Sequence, residues 1–450
     1  MSNAANVRKH KVELNDYDFQ RDIKIRLLLS KLTDIEKSIL EEIMDGSVKF
    51  SVKQLSETLS LKPDAIIPFI KKLEELDFHK MQSDQLTINK DMRKYFAYEL
   101  NKFSSHFEPS ICHVQTLLNK VPIHNLPHWY AISRSADNIF EAIIEKYFHT
   151  PKCYAKHLEE LSVENPYIYK LYEAILKSDN YCLDVEKIMR QFKLNHQEFE
   201  VLMLEFEYNF CGSLCYRRKG IKWVECASLY QEWKEYLQIK SEQSPISLKA
   251  EKIKNKTPNE FYFIDELNRL LDWINENPSL KSAEEHFLHF SDLLECALNL
   301  HLVTRDKSRL SLVKENLKTW QRKTKPEQAS ALYRMILGYS RTVPSKINCS
   351  EKDLRAIEKE LKTVTRQGWI SLESFMNSLT APIREHSPIE LHRKGKKWRY
   401  KMPEYTDSDK KLIQEIIERY LWMPGILLKG TQGKIHCFSI TPFGRITLGD

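Results

Sequence analysis

Two short cation-rich segments contain the best candidates for binding residues in this sequence. Four cations surround a Lys219-Gly220 turn between Tyr216 and Trp223, and Arg393 to Lys401 contains six cations and two aromatic residues. Cations that contact phosphates, beside aromatic rings that stack on bases, form a recurrent nucleic-acid-binding arrangement. A third basic tip precedes Leu310. The sequence therefore predicts a nucleic-acid-binding set of Arg217, Arg218, Lys219, Lys222, Arg305, Lys307, Arg309, Arg393, Lys394, Lys396, Lys397, Trp398 and Arg399.

The charge distribution favours the C-terminal segment of this set. Residues 346–450 contain 19 Lys and Arg against 13 Asp and Glu, whereas residues 1–100 carry 17 of each sign. Such a surplus is expected of a surface that meets phosphates or acidic protein. Two alternatives stay open: the surplus is an ordinary solvated surface, or the tip at Arg217–Lys222 is polar only to prevent edge-to-edge strand pairing.

No segment matches a catalytic motif. The run Gly430–Lys434 resembles a phosphate-binding loop, but Leu428 replaces its first glycine and Ile435 replaces its Mg²⁺-binding Ser or Thr. This run is predicted to be a hairpin turn, and Ala283–His286 to be a helix start rather than an acidic helicase box. We expect no enzymatic activity and no ATP hydrolysis.

Cysteine and histidine spacing predicts neither a metal site nor a cofactor. The nine cysteines are scattered through apolar runs, which is typical of reduced thiols. Cys211, Cys215 and Cys226 could be imagined as zinc ligands, but Cys211 occupies an apolar repeat position and a complete ligand set is missing. The histidines of the segment 106–128 do not share one helical face.

An internal repeat predicts the helices and strands that carry these cations. Eleven apolar positions from Ile35 to Phe78 recur, without a gap, 133 residues later from Ile168 to Cys211. Each copy reads as three helices followed by two short extended runs, which is the pattern of a winged helix-turn-helix. In the first copy, Thr33 and Glu36 predict a capping box, and Pro63 predicts the first turn of a third helix.

The third helices of the two copies differ in charge. Residues 62–76 carry a mixed face, whereas residues 195–208 include four glutamates that would repel DNA. An acidic third helix favours packing against protein over entry into a major groove. The tandem copies are therefore predicted to include units that do not touch nucleic acid.

Composition and length complete the predicted architecture, a mainly α chain of tandem winged-helix units with small β-wings. Only 11 glycines in 450 residues argue against a glycine-rich nucleotide-binding fold. The predicted boundaries are winged-helix unit 1 at 1–100, a helical spacer at 101–165, unit 2 at 166–240, a polar linker at 241–259, unit 3 at 260–345 and unit 4 at 346–450. No apolar run is long enough for a membrane span, so a cytoplasmic location without membrane contact is expected.

The C-terminal part resembles a known family. One half of the resemblance is Gly368-Trp-Ile-Ser-Leu372 with the closing strand Phe438-Ser-Ile-Thr-Pro-Phe-Gly-Arg445. The other half is Leu270-Leu-Asp-Trp273, then Leu293 to Val303, then Leu317-Lys-Thr-Trp320. Together they look like bacterial helicase-associated winged-helix proteins, related to the N-terminal region of XPB-type helicases, although the glycine-rich segments of that group are missing. The resemblance covers roughly residues 260–450 and implies non-enzymatic work on DNA beside a helicase or repair motor.

The sequence thus predicts a non-catalytic DNA-binding or helicase-associated accessory protein. One rival is a protein-protein interaction scaffold without direct nucleic-acid contact. The other rival is an enzyme of unrecognised type, which a buried polar cluster in a deep cleft would favour.

Overall fold

The computed structural model describes residues 11–449 except 83–84, 105, 221, 243, 279, 343–348, 387 and 396. It is mainly α-helical with small antiparallel sheets, which confirms the fold class at that level. The chain divides into two units. Unit 1 comprises the described residues up to Gln238 together with Glu390–Lys401, and unit 2 comprises the remainder from Ile239.

The first repeat of unit 1 forms where the sequence predicts it. Helix α1 (Phe19–Leu29) precedes α2 (Asp34–Asp45), β1 (Lys49–Phe50), α3 (Val52–Leu59), α4 (Pro63–Glu74), β2 (His79–Gln82) and β3 (Gln85–Ile88). Strand β3 lies between β1 and β2 in the sheet. Thr33 and Glu36 form the predicted capping box of α2, and Pro63 occupies the first turn of α4.

The predicted spacer consists of short helices that contribute to the interior of unit 1. After α5 (Lys90–Asn101), which lies almost wholly in predicted unit 1, they are α6 (Val114–Leu118), α7 (Leu126–Trp129), α8 (Ile139–Phe148) and α9 (Pro151–Glu164). Trp129 and Tyr130 are fully buried, and the Tyr130 hydroxyl donates to the Tyr208 carbonyl oxygen at 2.9 Å. This segment is therefore packed against the second repeat.

The second repeat keeps the register of the first. It comprises α10 (Pro166–Leu176), β4 (Cys182–Asp184), α11 (Val185–Phe192), α12 (His196–Tyr208), β5 (Ser213–Lys219) and β6 (Lys222–Ser228), followed by α13 (Gln231–Glu242). A shift of 133 residues maps α3 onto α11 without an offset. It also maps the left-handed residues Ser60 and Asp77 onto Lys193 and Phe210, which are left-handed too. Strand β6 lies between β4 and β5, as β3 lies between β1 and β2.

Unit 2 is built around one apolar cluster. Its elements are β7 (Ser247–Leu248), α14 (Tyr262–Glu276), α15 (Leu280–His286), α16 (Phe290–Asn299), β8 (Val303–Asp306), β9 (Arg309–Leu312), α17 (Lys314–Gln321), α18 (Lys325–Thr342), α19 (Glu351–Leu361), β10 (Trp369–Ser371) and α20 (Leu372–Ser378). They are followed by α21 (Asp407–Glu415), which continues as a π-helical turn to Tyr420, then β13 (Leu427–Gln432), β14 (Ile435–Ile440) and α22 (Pro442–Leu448). Strand β10 pairs with both β14 and β7.

Of three local predictions for the C-terminal half, one agrees with the structure and two differ from it. Gly433 has a φ of +62° in the turn between β13 and β14, so Gly430–Lys434 belongs to a hairpin as predicted. The Ala283–His286 run ends α15 instead of starting a helix. The 241–259 segment is not a free linker, because β7 pairs with β10 and Lys254 pairs with Thr431.

The basic segment 393–401 is not a loop. It forms a two-stranded ribbon of β11 (Glu390–Lys394) and β12 (Lys397–Lys401), and this ribbon belongs to unit 1. The Leu391 amide donates to the His149 carbonyl oxygen at 2.7 Å, and the Tyr400 hydroxyl donates to the Phe148 carbonyl oxygen at 3.1 Å. A segment predicted to lie in the fourth unit is therefore anchored on the C-terminal end of α8.

Within the described part of the chain, none of the helices has the length and apolar character needed to cross a lipid bilayer.

Candidate functional site

The β11–β12 ribbon has one anchored face and one basic face. Successive side chains alternate across a strand. Leu391 and Tyr400 are cross-strand partners and buried, while the next pair on the same face is Arg393 and Trp398. Apart from Glu390, the described residues of the opposite face are all basic and exposed, namely His392, Lys394, Lys397, Arg399 and Lys401. The fold thus collects cations along one side of the ribbon.

Most of these cations lack acidic partners. The Arg399 side chain lies 3.5 Å from a Glu235 carboxylate oxygen. Among the described residues, no carboxylate oxygen lies within 4.0 Å of the Lys394 or Lys397 ammonium nitrogen. The Arg393 guanidinium lies 5.8 Å from the centre of the half-buried Trp398 ring. Lys396, also predicted for this site, lies outside the described residues.

The β5–β6 hairpin is less available than the sequence suggests. Arg217 pairs with Glu108 at 2.6 Å and Lys219 pairs with Asp184 at 2.7 Å, whereas Arg218 and Lys222 are exposed. The ion pairs reduce the charge that this tip presents to a phosphate.

The aromatic residues at the ends of this hairpin are also engaged within unit 1. Tyr216 is buried and stacks on Phe103, with ring centres 3.7 Å apart. The Trp223 indole donates to the Asp34 carboxylate at 3.0 Å. Both rings therefore make contacts within unit 1, and base stacking by them beside the hairpin cations stays a prediction.

The third basic tip lies in unit 2. Arg305, Lys307 and Arg309 are all exposed at the β8–β9 turn, where Lys307 has a φ of +48°. The Arg305 side chain donates to the Lys307 carbonyl oxygen at 3.1 Å, which stiffens the turn. Of the thirteen predicted residues, the twelve that the structure describes lie on three different hairpins.

The third helices of the two repeats differ in accessibility as well as in charge. Helix α4 keeps an exposed face that includes Ile67 and Lys71. Helix α12 is mostly buried, and Glu200 and Glu207 on it are at most 1% exposed. A helix buried along most of its length cannot enter a major groove. The structure places two of its glutamates in the interior, where they do not act as a repulsive surface.

These glutamates belong to a buried group of charges, here called the ionic cluster. Its members are Asp22, Arg26, Glu99, Lys102, Lys120, Glu200 and Glu207. Arg26 is central: its guanidinium pairs with Glu207 and lies 3.4 Å from Asp22 and 3.8 Å from Glu200. The cluster has no signature in the sequence, because its members are spread over the chain, with 181 residues separating Arg26 from Glu207.

Charge pairing controls protonation inside the ionic cluster. Burial alone would raise the pKa of Glu207, but Arg26 and Lys102 more than offset this and hold its pKa at about 2. Burial also opposes ionisation of Asp22, yet Lys120 and Arg26 hold the pKa of that carboxyl below its ordinary value. These carboxylates are therefore ionised at neutral pH and bound to fixed cations.

At the Glu200 end of the ionic cluster, the neighbours are a histidine and a second carboxylate. Two side chains of α12, His196 and Glu200, meet Glu225 of β6, and the His196 Nε2 atom lies 3.6 Å from Glu200 and 3.4 Å from Glu225. Burial raises the pKa of Glu200 to about 7, because His196 and Arg26 offset it only in part. The two neighbouring carboxylates raise the pKa of His196 to about 9. We call these three residues the α12–β6 triad.

A cavity of about 590 Å³ reaches the other end of the ionic cluster. Its lining includes Tyr17, Asp22, Tyr95 and Lys120. This is the kind of feature that would favour an enzyme, but Asp22 and Lys120 pair with each other at 3.3 Å. Burial raises the pKa of Tyr95 above its ordinary value, so the hydroxyl stays protonated and donates to Asp22. The cavity therefore presents no free base or nucleophile among these groups.

Of the three cysteines imagined as zinc ligands, Cys215 and Cys226 are cross-strand partners, whereas Cys211 has a different neighbour. Cys211 is buried and its thiol faces the Asn209 carbonyl oxygen at 3.6 Å. Cys215 and Cys226 lie beside Cys182 of β4, and their hydrogen bonds lower the pKa of the Cys182 thiol. Cys182, absent from the predicted set, is placed there by the pairing of β4 with β6.

No protein-family model matches this sequence, and comparisons with curated proteins and with solved structures give no significant match. The resemblance of residues 260–450 to helicase-associated winged-helix proteins stays a prediction from the residues quoted above.

Proposed function

We propose that this protein is a tandem winged-helix protein that binds DNA without catalysing a reaction, as an accessory to a helicase or repair motor. The observation that carries the proposal is the exposed basic face of the β11–β12 ribbon. A β-ribbon can lie along a groove while its cations contact phosphates and fix its position.

The winged-helix part of the proposal has topological support. In a winged unit, a short strand between the first two helices pairs with the last strand of the hairpin. Strand β1 pairs with β3, β4 pairs with β6, and β10 pairs with β14. The same order therefore occurs three times, twice in unit 1 and once in unit 2.

Electrostatics supports phosphate contact at the ribbon rather than at the β5–β6 tip. A cation already held by a carboxylate must break that pair before it contacts a phosphate. Arg217 and Lys219 are held in this way, whereas Lys394 and Lys397 face solvent as cross-strand partners. Each phosphate contact displaces condensed counterions and adds about 0.9 to the salt slope on duplex DNA.

A salt titration of duplex binding tests the proposal. Replacing Lys394 and Lys397 by alanine should weaken binding of all duplex sequences similarly and reduce the slope of log affinity against log salt by roughly 2. The matched control replaces Lys24 and Lys31, two exposed lysines of unit 1, and should leave the slope unchanged. An unchanged affinity and slope in the Lys394/Lys397 variant would contradict DNA binding through the ribbon.

A protein scaffold is the second candidate, favoured by the burial of α12. One of the two recognition helices of unit 1 is inaccessible, and the other exposes Ile67 (38% exposed) on a face of mixed charge. Such a face suits a protein partner better than a phosphate backbone. If the unmodified protein binds neither duplex nor single-stranded DNA at low salt, the scaffold becomes the better proposal.

A further inference from the structure

We infer that the α12–β6 triad of His196, Glu200 and Glu225 is a binding site for one divalent transition-metal ion, with zinc the best match. His196 and Glu200 are four residues apart on α12 and therefore share one helix face. Glu225 faces them from β6, and one ligand atom from each residue lies within 4.8 Å of the other two. The sequence predicts no metal site, because the third ligand comes from another element.

The separations match the edges of a coordination tetrahedron. Zinc bonds of about 2.0–2.2 Å to nitrogen and oxygen place neighbouring tetrahedral ligand atoms about 3.3–3.6 Å apart. The His196 nitrogen lies 3.4 Å and 3.6 Å from the two carboxylates. A charge-assisted hydrogen bond would be about 2.7–2.9 Å. The His196 nitrogen is thus farther from both carboxylates than a charge-assisted hydrogen bond would place it, and it is correctly spaced to share an ion with them.

Glu200 provides an independent reason to expect a ligand. Its side chain is 0% exposed, and neither carboxylate oxygen has a hydrogen-bond partner among the described residues. The nearest Arg26 nitrogen is 3.8 Å away and is itself without a hydrogen bond. A buried carboxylate without a hydrogen-bond partner is costly, so native proteins rarely retain one. A metal ion between Glu200 and His196 would satisfy it.

The balance of charges around the α12–β6 triad also favours a bound cation. The ionic cluster and Glu225 together contain five carboxylates, on Asp22, Glu99, Glu200, Glu207 and Glu225. They face three fixed cations, on Arg26, Lys102 and Lys120. With His196 neutral, as a metal ligand must be, two negative charges remain uncompensated. One divalent ion balances them.

The site also has a supporting contact and an entry route. The Tyr216 hydroxyl donates to the Glu225 Oε1 atom at 3.0 Å, which leaves the Oε2 atom facing His196. Such outer contacts orient metal-binding carboxylates. His196 is 29% exposed and lines a cleft of about 420 Å³ next to Arg190 and Leu194. An ion can enter from this side, and a fourth coordination position can face the cleft.

The donor set selects the class of metal. One imidazole with two carboxylates suits zinc and related transition metals, whereas magnesium and calcium prefer oxygen ligands alone. The positions equivalent to His196 and Glu200 in the first repeat are Pro63 and Ile67, which cannot bind a metal. The site therefore distinguishes the second repeat, where it would join α12 to strand β6.

Equilibrium dialysis of the purified full-length protein, stripped with a chelator and then exposed to Zn²⁺, tests the inference. We expect one tightly bound Zn²⁺ per chain, with Mg²⁺ unable to displace it. His196→Gln should weaken binding more than about 100-fold, since even outer contacts of metal sites contribute 10–100-fold. Glu225→Gln should weaken it comparably. Glutamine at position 225 can still accept the Tyr216 hydrogen bond, so this variant keeps that contact.

Two controls separate this site from other zinc-binding groups. His128→Gln removes an exposed histidine, and Cys226→Ser removes a thiol beside Cys182; both should retain stoichiometric zinc. Substitution by Co²⁺ should give the visible spectrum of a tetrahedral site without a thiolate charge-transfer band. Absence of zinc binding, zinc retained by folded His196→Gln and Glu225→Gln proteins, or zinc lost in Cys226→Ser would each overturn the inference.

Discussion

At the scale of single residues, one arginine organises the interior of unit 1. Arg26 is 2% exposed and contacts carboxylates from α1 and from both ends of α12. A buried ion pair is weak evidence of net stabilisation, but removing one partner leaves uncompensated charge in a low-dielectric interior. Arg26 is therefore a position where a single change has a large effect.

Arg26→Met should lower the free energy of unfolding by about 3–5 kcal/mol, because Asp22 and Glu207 lose their counter-charge. Urea unfolding followed by circular dichroism measures the change. The control Lys156→Met breaks an exposed pair with Glu160, which should alter stability by less than about 0.5 kcal/mol. Equal effects of the two changes would contradict a central role for Arg26.

Protonation of the same cluster should make unit 1 sensitive to acid. Arg26 and Lys102 overcome the effect of burial and depress the pKa of Glu207 from 4.5 to about 2. A carboxyl with a depressed folded-state pKa contributes stability that is present above the unfolded pKa and is lost as pH falls through the folded pKa. Stability should therefore fall between about pH 4.5 and pH 2.

Thermal unfolding across this acid range checks the expectation. Glu207→Gln should reduce the acid dependence, because an amide does not titrate. An acid dependence identical to that of the unmodified protein would show that Glu207 is not the group responsible.

At the scale of elements, the hairpins that look alike in sequence have different roles. The β5–β6 hairpin buries Tyr216 against Phe103, and two of its cations pair with carboxylates. Of its described residues, the β11–β12 ribbon buries Leu391 and Tyr400 at its base and leaves Arg393, Lys394 and Lys397 near its tip exposed. Basic composition alone does not separate a packed hairpin from an exposed one.

The two aromatic residues of the ribbon should therefore respond differently to truncation. Tyr400→Ala should destabilise unit 1 by about 3 kcal/mol, since it empties a buried site and removes the hydrogen bond to Phe148. Trp398→Ala should leave the fold intact and weaken single-stranded DNA binding by about 1–3 kcal/mol if its half-exposed ring stacks on bases. Urea unfolding and fluorescence anisotropy measure the two effects. Loss of folding in both variants would assign Trp398 to the core.

At the scale of the whole molecule, the proposed accessory role predicts that the chain does not hydrolyse ATP itself. Lys434 follows the Gly433 turn between β13 and β14, and no glycine-rich loop precedes a helix there. The N-terminal amides of a helix, which cradle phosphates in P-loop proteins, are therefore missing beside Lys434.

We expect purified protein to show no ATP hydrolysis above background, with or without DNA. A phosphate-release assay measures this, and Lys434→Ala provides the control. DNA-stimulated turnover that disappears in this variant would contradict the expectation.

Local features of this protein were determined by the sequence itself. Capping by Thr33, the Pro63 helix start and the turns at Gly220 and Gly433 all depend on residues close in the chain. Their hydrogen bonds and dihedral preferences act over three or four residues, so spacing alone predicts them. The mainly α fold class follows from the same local signals.

Only the tertiary structure decided which distant groups meet. The Tyr400 hydroxyl reaches Phe148 across 252 residues, and Arg26 reaches Glu207 across 181. Burial then changes what these residue types mean: glutamates that look repulsive on α12 become internal ion-pair partners, and Glu200 becomes a carboxylate without a hydrogen bond. Desolvation and long-range pairing arise from packing, and packing has no fixed spacing along the chain.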